Sequence, residues 1–290
     1  MNNFDVEQYT ANLIHEFESI NGYQMIMHPD FIEREFGNIP VVLNKDNYRS
    51  PELANVDFVF TGCSQTFGIG LEEEFIWGKN IATKNNWTYN NLATPGDSVF
   101  NIVFSLFKYF NKYGNPKYLA CLFPDFNRTR VYLDDIIYNV DGKINQLFSI
   151  SYNPFDEFVP EKHRKKGTDL LKRNKYVKLP THPENILSYP NSLYFNLTYI
   201  KILEQYCKSN NINFVWSTWA DIYTESDFLF KIFENFSKVY LMRLEDQDCH
   251  KEYNNNPYFN VAYDNAHMGI HANLHVAENF MKVINDNTGN

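Results

Sequence analysis

Val56-Asp57-Phe58-Val59-Phe60-Thr61-Gly62-Cys63-Ser64-Gln65-Thr66-Phe67-Gly68-Ile69-Gly70 takes the chain from an apolar run of strand length into a turn punctuated by three glycines. The amphipathic run Leu71 to Lys84 follows it. The order is that of a strand, a tight turn bearing a hydroxyl, and a helix start. A serine at this place sits at the carboxyl end of a strand with its backbone N–H near a helix N-terminus, where negative charge is favoured. Such a position suits a nucleophile whose attack creates an oxyanion.

Outward from this stretch, strands and helices alternate. Phe58 to Thr61 reads as the first core strand, Phe75 to Asn85 as a helix and Thr88 to Leu92 as a short strand. Asn91-Leu92-Ala93-Thr94-Pro95-Gly96-Asp97-Ser98 is a loop ending in an N-cap serine before the helix Val99 to Tyr113. Tyr118 to Phe123 is an uninterrupted apolar run between Pro116 and Pro124, the pattern of a strand buried on both faces of a parallel sheet. Leu193 to Lys208 reads as an amphipathic helix, Asn213 to Ser217 as a strand, and Phe228 to Asn235 as a helix. Val239 to Met242 reads as a strand and Ala272 to Asn285 as the last helix.

This alternation predicts an α/β fold, a three-layer α/β/α sandwich around a mainly parallel sheet. In such folds ligands bind outside the carboxyl ends of the strands. Ser64, Gly96, Pro124 to Asn127 and Trp216 to Trp219 all follow predicted strands, so they are expected to share one rim. Residues 1–50 read as an N-terminal extension, helical over Val6 to Ile20 and irregular thereafter, packed on a core of residues 51–290. Within that core, about 127–187 breaks the pattern with turn residues and mixed charge and reads as an irregular insertion.

The 290 residues carry a net charge of −9, which argues against a nucleic-acid-binding surface. Four widely spread cysteines, Cys63, Cys121, Cys207 and Cys249, form no Cys-x-x-Cys pair, which argues against a disulfide framework or a zinc site. No apolar run approaches the length of a membrane span, and the N-terminus lacks a basic region followed by an apolar stretch. A cytoplasmic protein with no membrane span is the expectation.

A serine hydroxyl needs a base within hydrogen-bond reach to act as a nucleophile. Asp264-Asn265-Ala266-His267-Met268-Gly269 offers one: a neutral His267 imidazole can take the Ser64 proton, and Asp264 can hold its other ring nitrogen. His271 follows closely enough to lie near the mouth of such a site, while His275 reads as part of a solvated helix face. The pair lacks the intervening Glu of a His-Glu-x-x-His zinc motif, and no metal is expected. Asp221, in Trp216-Ser217-Thr218-Trp219-Ala220-Asp221, is an alternative orienter for His267. Arg128 and Arg130 read as structural or solvated side chains, with an anionic substrate as the alternative.

Together the two ends of the chain resemble the SGNH (GDSL-like) hydrolase family, which has Gly-Asp-Ser-x-Thr-x-Gly-x-Gly at the front and Asp-x-x-His at the back. The resemblance covers roughly residues 55–130 and 190–285. It implies a flavodoxin-like sheet and a catalytic set of Ser64, Asp264 and His267, with no cofactor. It also implies an oxyanion hole formed by the Ser64 N–H, the Gly96 N–H and an Asn side chain. The family's Gly-x-Asn-Asp is absent; the corresponding strand end reads Phe123-Pro124-Asp125-Phe126-Asn127-Arg128, so Asn127 or a different group supplies the third donor. Cys63 stands where the family has Asp and reads as a packed small residue, which removes part of the family's support for the loops around the serine. The implied activity is removal of an acyl group, acetyl among the possibilities, from a small-molecule, carbohydrate or lipid ester. Acyl transfer with the same residues, and a binding or structural protein with a weakened catalytic set, are the alternatives.

Overall fold

The computed structural model describes residues 33, 35–124, 126, 129–131, 150–152, 189–219, 233, 235–236, 252–253 and 255–288. In chain order the described elements are β1 (Phe58–Gly62), α1 (Ser64–Phe67), α2 (Trp77–Asn85), β2 (Tyr89–Asn91) and α3 (Val99–Tyr113). They continue with β3 (Tyr118–Phe123), β4 (Thr129–Val131), β5 (Ile150–Tyr152), α4 (Tyr189–Ser209), β6 (Asn213–Thr218) and α5 (Ile270–Thr288). A 3-10 turn spans Glu73–Phe75.

Four strands form a parallel sheet in the order β2-β1-β3-β6, and β4 pairs with β5 antiparallel. With the small β4–β5 pair set aside, the order is 2-1-3-4, that of a flavodoxin-like sheet. Successive side chains of a strand point to opposite faces, and the core divides accordingly. Val59, Leu119, Cys121, Phe123, Phe214 and Trp216 pack with α3 and α4 on one face. Phe58, Phe60, Tyr118, Ala120, Leu122 and Val215 pack with α2 and α5 on the other. Helices therefore cover both faces, which is why β3 reads as an unbroken apolar run and both β1 and β3 are buried along their whole length. Fully burying a side chain of this kind contributes about 1.5–3 kcal/mol.

Local signals set the helix ends. Ser98 caps α3 by accepting from the Asn101 N–H at 3.4 Å, and the apolar stripe of α3 lies against the sheet. The helix predicted from Phe75 begins two residues later, at Trp77, because Glu73–Phe75 forms the 3-10 turn and Ile76 is extended. The cap of that helix comes from far away: Asn273 Oδ1 accepts the Trp77 N–H at 3.2 Å. The last helix, in contrast, starts before its predicted Ala272, at Ile270.

Part of the N-terminal segment is described. Phe36 and Ile39 are buried against Phe67, Ile69 and Ala93. Val6 to Ile20 lies outside the described residues, as does the 127–187 segment apart from β4 and β5. Val239 to Met242 and most of Phe228 to Asn235 lie outside them too; Asn235 is in a turn, and Phe236 forms a parallel bridge with Trp216. Among the described residues no helix is long and apolar enough to cross a membrane.

Candidate functional site

Three of the parallel strands, β1, β3 and β6, end close together, with Gly62 beside Leu122 and Phe123 beside Thr218. Bonds between the segments that follow them join the rim. Thr94 N–H donates to the Gly62 carbonyl at 3.4 Å, Trp219 N–H to the Phe123 carbonyl at 3.3 Å, and the Thr218 hydroxyl to the Pro124 carbonyl at 3.4 Å. Ser64, Pro124 and Trp219 thus lie at one end of the sheet. Trp216, in contrast, is wholly buried inside β6 and lines the core, not the rim.

Ser64 opens the one-turn helix α1, and Cys63 precedes it as the N-cap residue. The serine therefore starts its own helical turn instead of capping the run from Leu71. Gly62 is required by closeness: a Cβ there would lie 2.2 Å from Thr66 Oγ1 and 2.5 Å from the Leu122 carbonyl oxygen. Thr66 in turn accepts from the Trp77 indole N–H at 3.3 Å, which ties α1 to α2. Cys63 is fully buried, and its sulfur accepts from the Trp219 indole N–H at 3.2 Å, with the Ser64 hydroxyl 3.8 Å away. The Cys63 sulfur thus ties the serine turn to the segment that follows β6. The Cys121 and Cys207 thiols, in the core, are pushed up in pKa by burial.

Arg49 fastens the far end of the serine turn. Its guanidinium, only 1 % exposed, donates to the carbonyls of Gly68 at 2.6 Å, Leu71 at 2.7 Å and Phe67 at 3.5 Å, and lies over the Phe36 ring. Burial lowers its pKa to about 10, with the Glu73 charge acting the other way, so the group stays charged at neutral pH. No sequence signal marks Arg49; its partners are 18 to 22 residues away.

The second half of the site is the loop before α5. Val261 and Met268 form an antiparallel bridge, and Ala262 N–H donates to the His267 carbonyl at 3.1 Å. Asn265, at φ 58°, closes the loop in the left-handed region, where Asn is among the better tolerated residues. Asp264 holds the tip: Oδ1 accepts from the Ala266 and His267 N–H groups at 3.1 Å each, and Oδ2 lies 2.5 Å from His267 Nδ1. Burial raises the Asp264 pKa, but the His267 ring and the two backbone N–H groups outweigh it and hold the carboxyl below its ordinary value. With Nδ1 engaged by the carboxylate, Nε2 is the nitrogen left to exchange a proton elsewhere.

Two bonds join this loop to the serine turn. Gln65 Oε1 accepts from the Met268 N–H at 2.9 Å, and the Tyr263 N–H donates to the Gly70 carbonyl at 2.9 Å. Gly70 has φ 71°, and a Cβ there would lie 2.9 Å from both the Ala262 Cβ and the Tyr263 N, so glycine is needed for the approach as well as the turn. Asn273 adds a third fastening: while its Oδ1 caps α2, its Nδ2 donates to the carbonyls of Met268 at 3.2 Å and Gly269 at 3.1 Å. The fold therefore sets the residue after Ser64 against the residue after His267, across 203 positions of sequence.

The remaining candidates fall in different places. Gly96 is exposed at φ 79° in the loop after β2, with open space where a Cβ would stand. Asn127, Arg128 and Asp221 lie outside the described residues; next to Asn127, the Phe126 carbonyl is pinned by the Asn196 side-chain amide at 2.7 Å. His271 does not lie at a mouth: it is fully buried in the first turn of α5 with its ring 5.1 Å from that of Phe259. Among the described residues no group of three or more His, Cys, Asp or Glu side chains is placed to hold a metal ion. Gln65, Arg49 and Asn273, none of them singled out by sequence, supply the polar ties around the site.

No protein-family model and no curated protein matches the chain. Solved structures do. One is the psychrotrophic esterase EstA from Pseudoalteromonas sp., at 11% identity over 81% of this chain and 100% of that one, with a TM-score of 0.41. Another is a member of the lipolytic G-D-S-L family from Veillonella parvula, at 12% identity over 78% of this chain and 96% of that one, with a TM-score of 0.31.

Proposed function

We propose that the protein is a serine esterase of SGNH type that removes an acyl group from an ester. The observation that carries this reading is the Asp264–His267 pair, 2.5 Å between Oδ2 and Nδ1, on a loop bonded through Met268 to the residue after Ser64. An imidazole oriented by a carboxylate and seated beside a serine turn is the arrangement that activates a hydroxyl for acyl transfer.

In the reaction, His267 Nε2 takes the proton of the Ser64 hydroxyl as Oγ bonds to the ester carbonyl carbon. The carbonyl oxygen becomes an oxyanion, to which the N–H groups of Ser64 and Gly96 donate, with Asn127 as the third donor. The carbon–oxygen bond to the alcohol breaks, and His267 returns the proton to the leaving alcohol. A water then attacks the acyl-Ser64 ester and gives its proton to Nε2. Oγ leaves and recovers that proton, freeing the acid. Asp264 stays ionised throughout and holds the imidazole in one tautomer.

The test is hydrolysis of p-nitrophenyl acetate by the wild type and by Ser64→Ala. Turnover that falls by about 10³-fold or more in the variant is the expected result. Equal, slow turnover by both proteins overturns the reading.

A further inference from the structure

We propose that Gln65 is a positioning residue for His267, a role that rests on the esterase reading. Gln65 occupies the second position of α1, immediately after Ser64, and its side-chain oxygen accepts the Met268 N–H at 2.9 Å. The backbone around His267 is otherwise tied within its own loop or to the last helix. Its N–H goes to Asp264 Oδ1, its carbonyl accepts from Ala262, and the Met268 carbonyl accepts from Asn273. None of these bonds fixes how far the imidazole stands from the serine.

Two bonds do cross to the serine turn. The Tyr263–Gly70 bond is between backbones and joins the near side of the loop to the end of the turn, six residues beyond Ser64. The Gln65–Met268 bond joins the residue next to the nucleophile with the residue next to the base. A proton passes between Ser64 Oγ and His267 only at hydrogen-bond distance, and a displacement of about 1 Å costs about 10²-fold in rate. Gln65 touches no reacting atom in this scheme; it sets the separation of the two groups that do.

Leucine at this position keeps the bulk of the side chain and removes the acceptor, whereas glutamate keeps an acceptor oxygen. Wild type, Gln65→Leu, Gln65→Glu and Ser64→Ala are compared for p-nitrophenyl acetate kinetics and for the rate at which a fluorophosphonate labels Ser64, read by intact mass. Gln65→Leu is expected to lower kcat and the labelling rate together by about 10- to 100-fold at little-changed KM. Gln65→Glu is expected to restore both to within about threefold, and its charge shifts the acidic limb of the pH–rate profile upward. If Gln65→Leu fails to fold, Gln65→Met, which keeps side-chain length without the acceptor, is read in its place.

Wild-type kcat and labelling in the variant lacking the acceptor overturn the proposal, as does an equal loss in Gln65→Leu and Gln65→Glu with an unmoved pH profile. In both cases the esterase reading stands as long as Ser64→Ala is inactive and unlabelled. Activity or labelling that survives in Ser64→Ala overturns the esterase reading itself, and the role of Gln65 with it.

Discussion

The turn after β1 and the loop before α5 face each other across the candidate site, yet they are held in different ways. The serine turn grows out of the centre of the sheet: Gly62 lies against the Leu122 backbone, Cys63 is fully buried, and Arg49 spends a buried charge on three of its carbonyls. The histidine loop has less apolar anchoring and relies on side-chain hydrogen bonds from Asp264, Gln65 and Asn273. Packing and one buried guanidinium thus place one half, and a few directed side-chain bonds place the other. Substitutions of the groups that hold the two halves should accordingly fail differently: at Asp264 chiefly by losing rate, at Arg49 by losing fold.

The sharpest break comes from Asp264→Asn. The amide keeps the size of the carboxylate but favours the wrong imidazole tautomer, and kcat for p-nitrophenyl acetate is expected to fall by about 10³- to 10⁴-fold. The same variant tests the charge by a second route. The Asp264 carboxyl is held below its ordinary pKa, so the stability it contributes is present above the unfolded-state value, near 4, and is lost as pH falls through the lower folded value. Melting curves of wild type and Asp264→Asn should differ at neutral pH and converge in acid; a constant gap contradicts the assignment.

Arg49→Met strikes the other half. It leaves the Gly68 and Leu71 carbonyls without their donor, at a cost offset in part because no charge then needs burying. A loss of about 3 kcal/mol in chemical denaturation is expected, with activity falling only as the folded fraction does. A variant as stable as the wild type would show that the turn is held by packing alone.

Asn273→Ala tests the link between the halves. It strips the cap from α2 and the amide from the Met268 and Gly269 carbonyls, and about 1–2 kcal/mol of stability should go with it. Hydrogen exchange should quicken at the Trp77 amide; unchanged protection there would show that the cap contributes nothing.

The two halves also differ in how far they can be read from sequence. β3 and α3 run over the residues expected, Tyr118–Phe123 and Val99–Tyr113, because burial on two faces and a serine cap are local patterns. Ser64 and the Asp264-x-x-His267 spacing are visible for the same reason. What cannot be read is any bond whose partners are far apart in sequence. The start of α2 was displaced from Phe75 to Trp77, where a residue 196 positions away supplies the cap. Arg49, Gln65 and Asn273 look like ordinary surface residues until the fold brings their partners to them. His271 was misplaced by helix phase: two residues after Gly269 it already belongs to α5 and turns inward.

Asp264 and His267 lie three residues apart in one loop, and the Asp264 carboxylate holds both the backbone N–H and the ring Nδ1 of His267. Base and orienter therefore travel as a single cassette. Under the proposed reading, any motion of that loop varies one quantity, the gap to Ser64, and leaves the imidazole's proton where it was. A retracted loop would keep base and orienter assembled and lose only their reach to the serine.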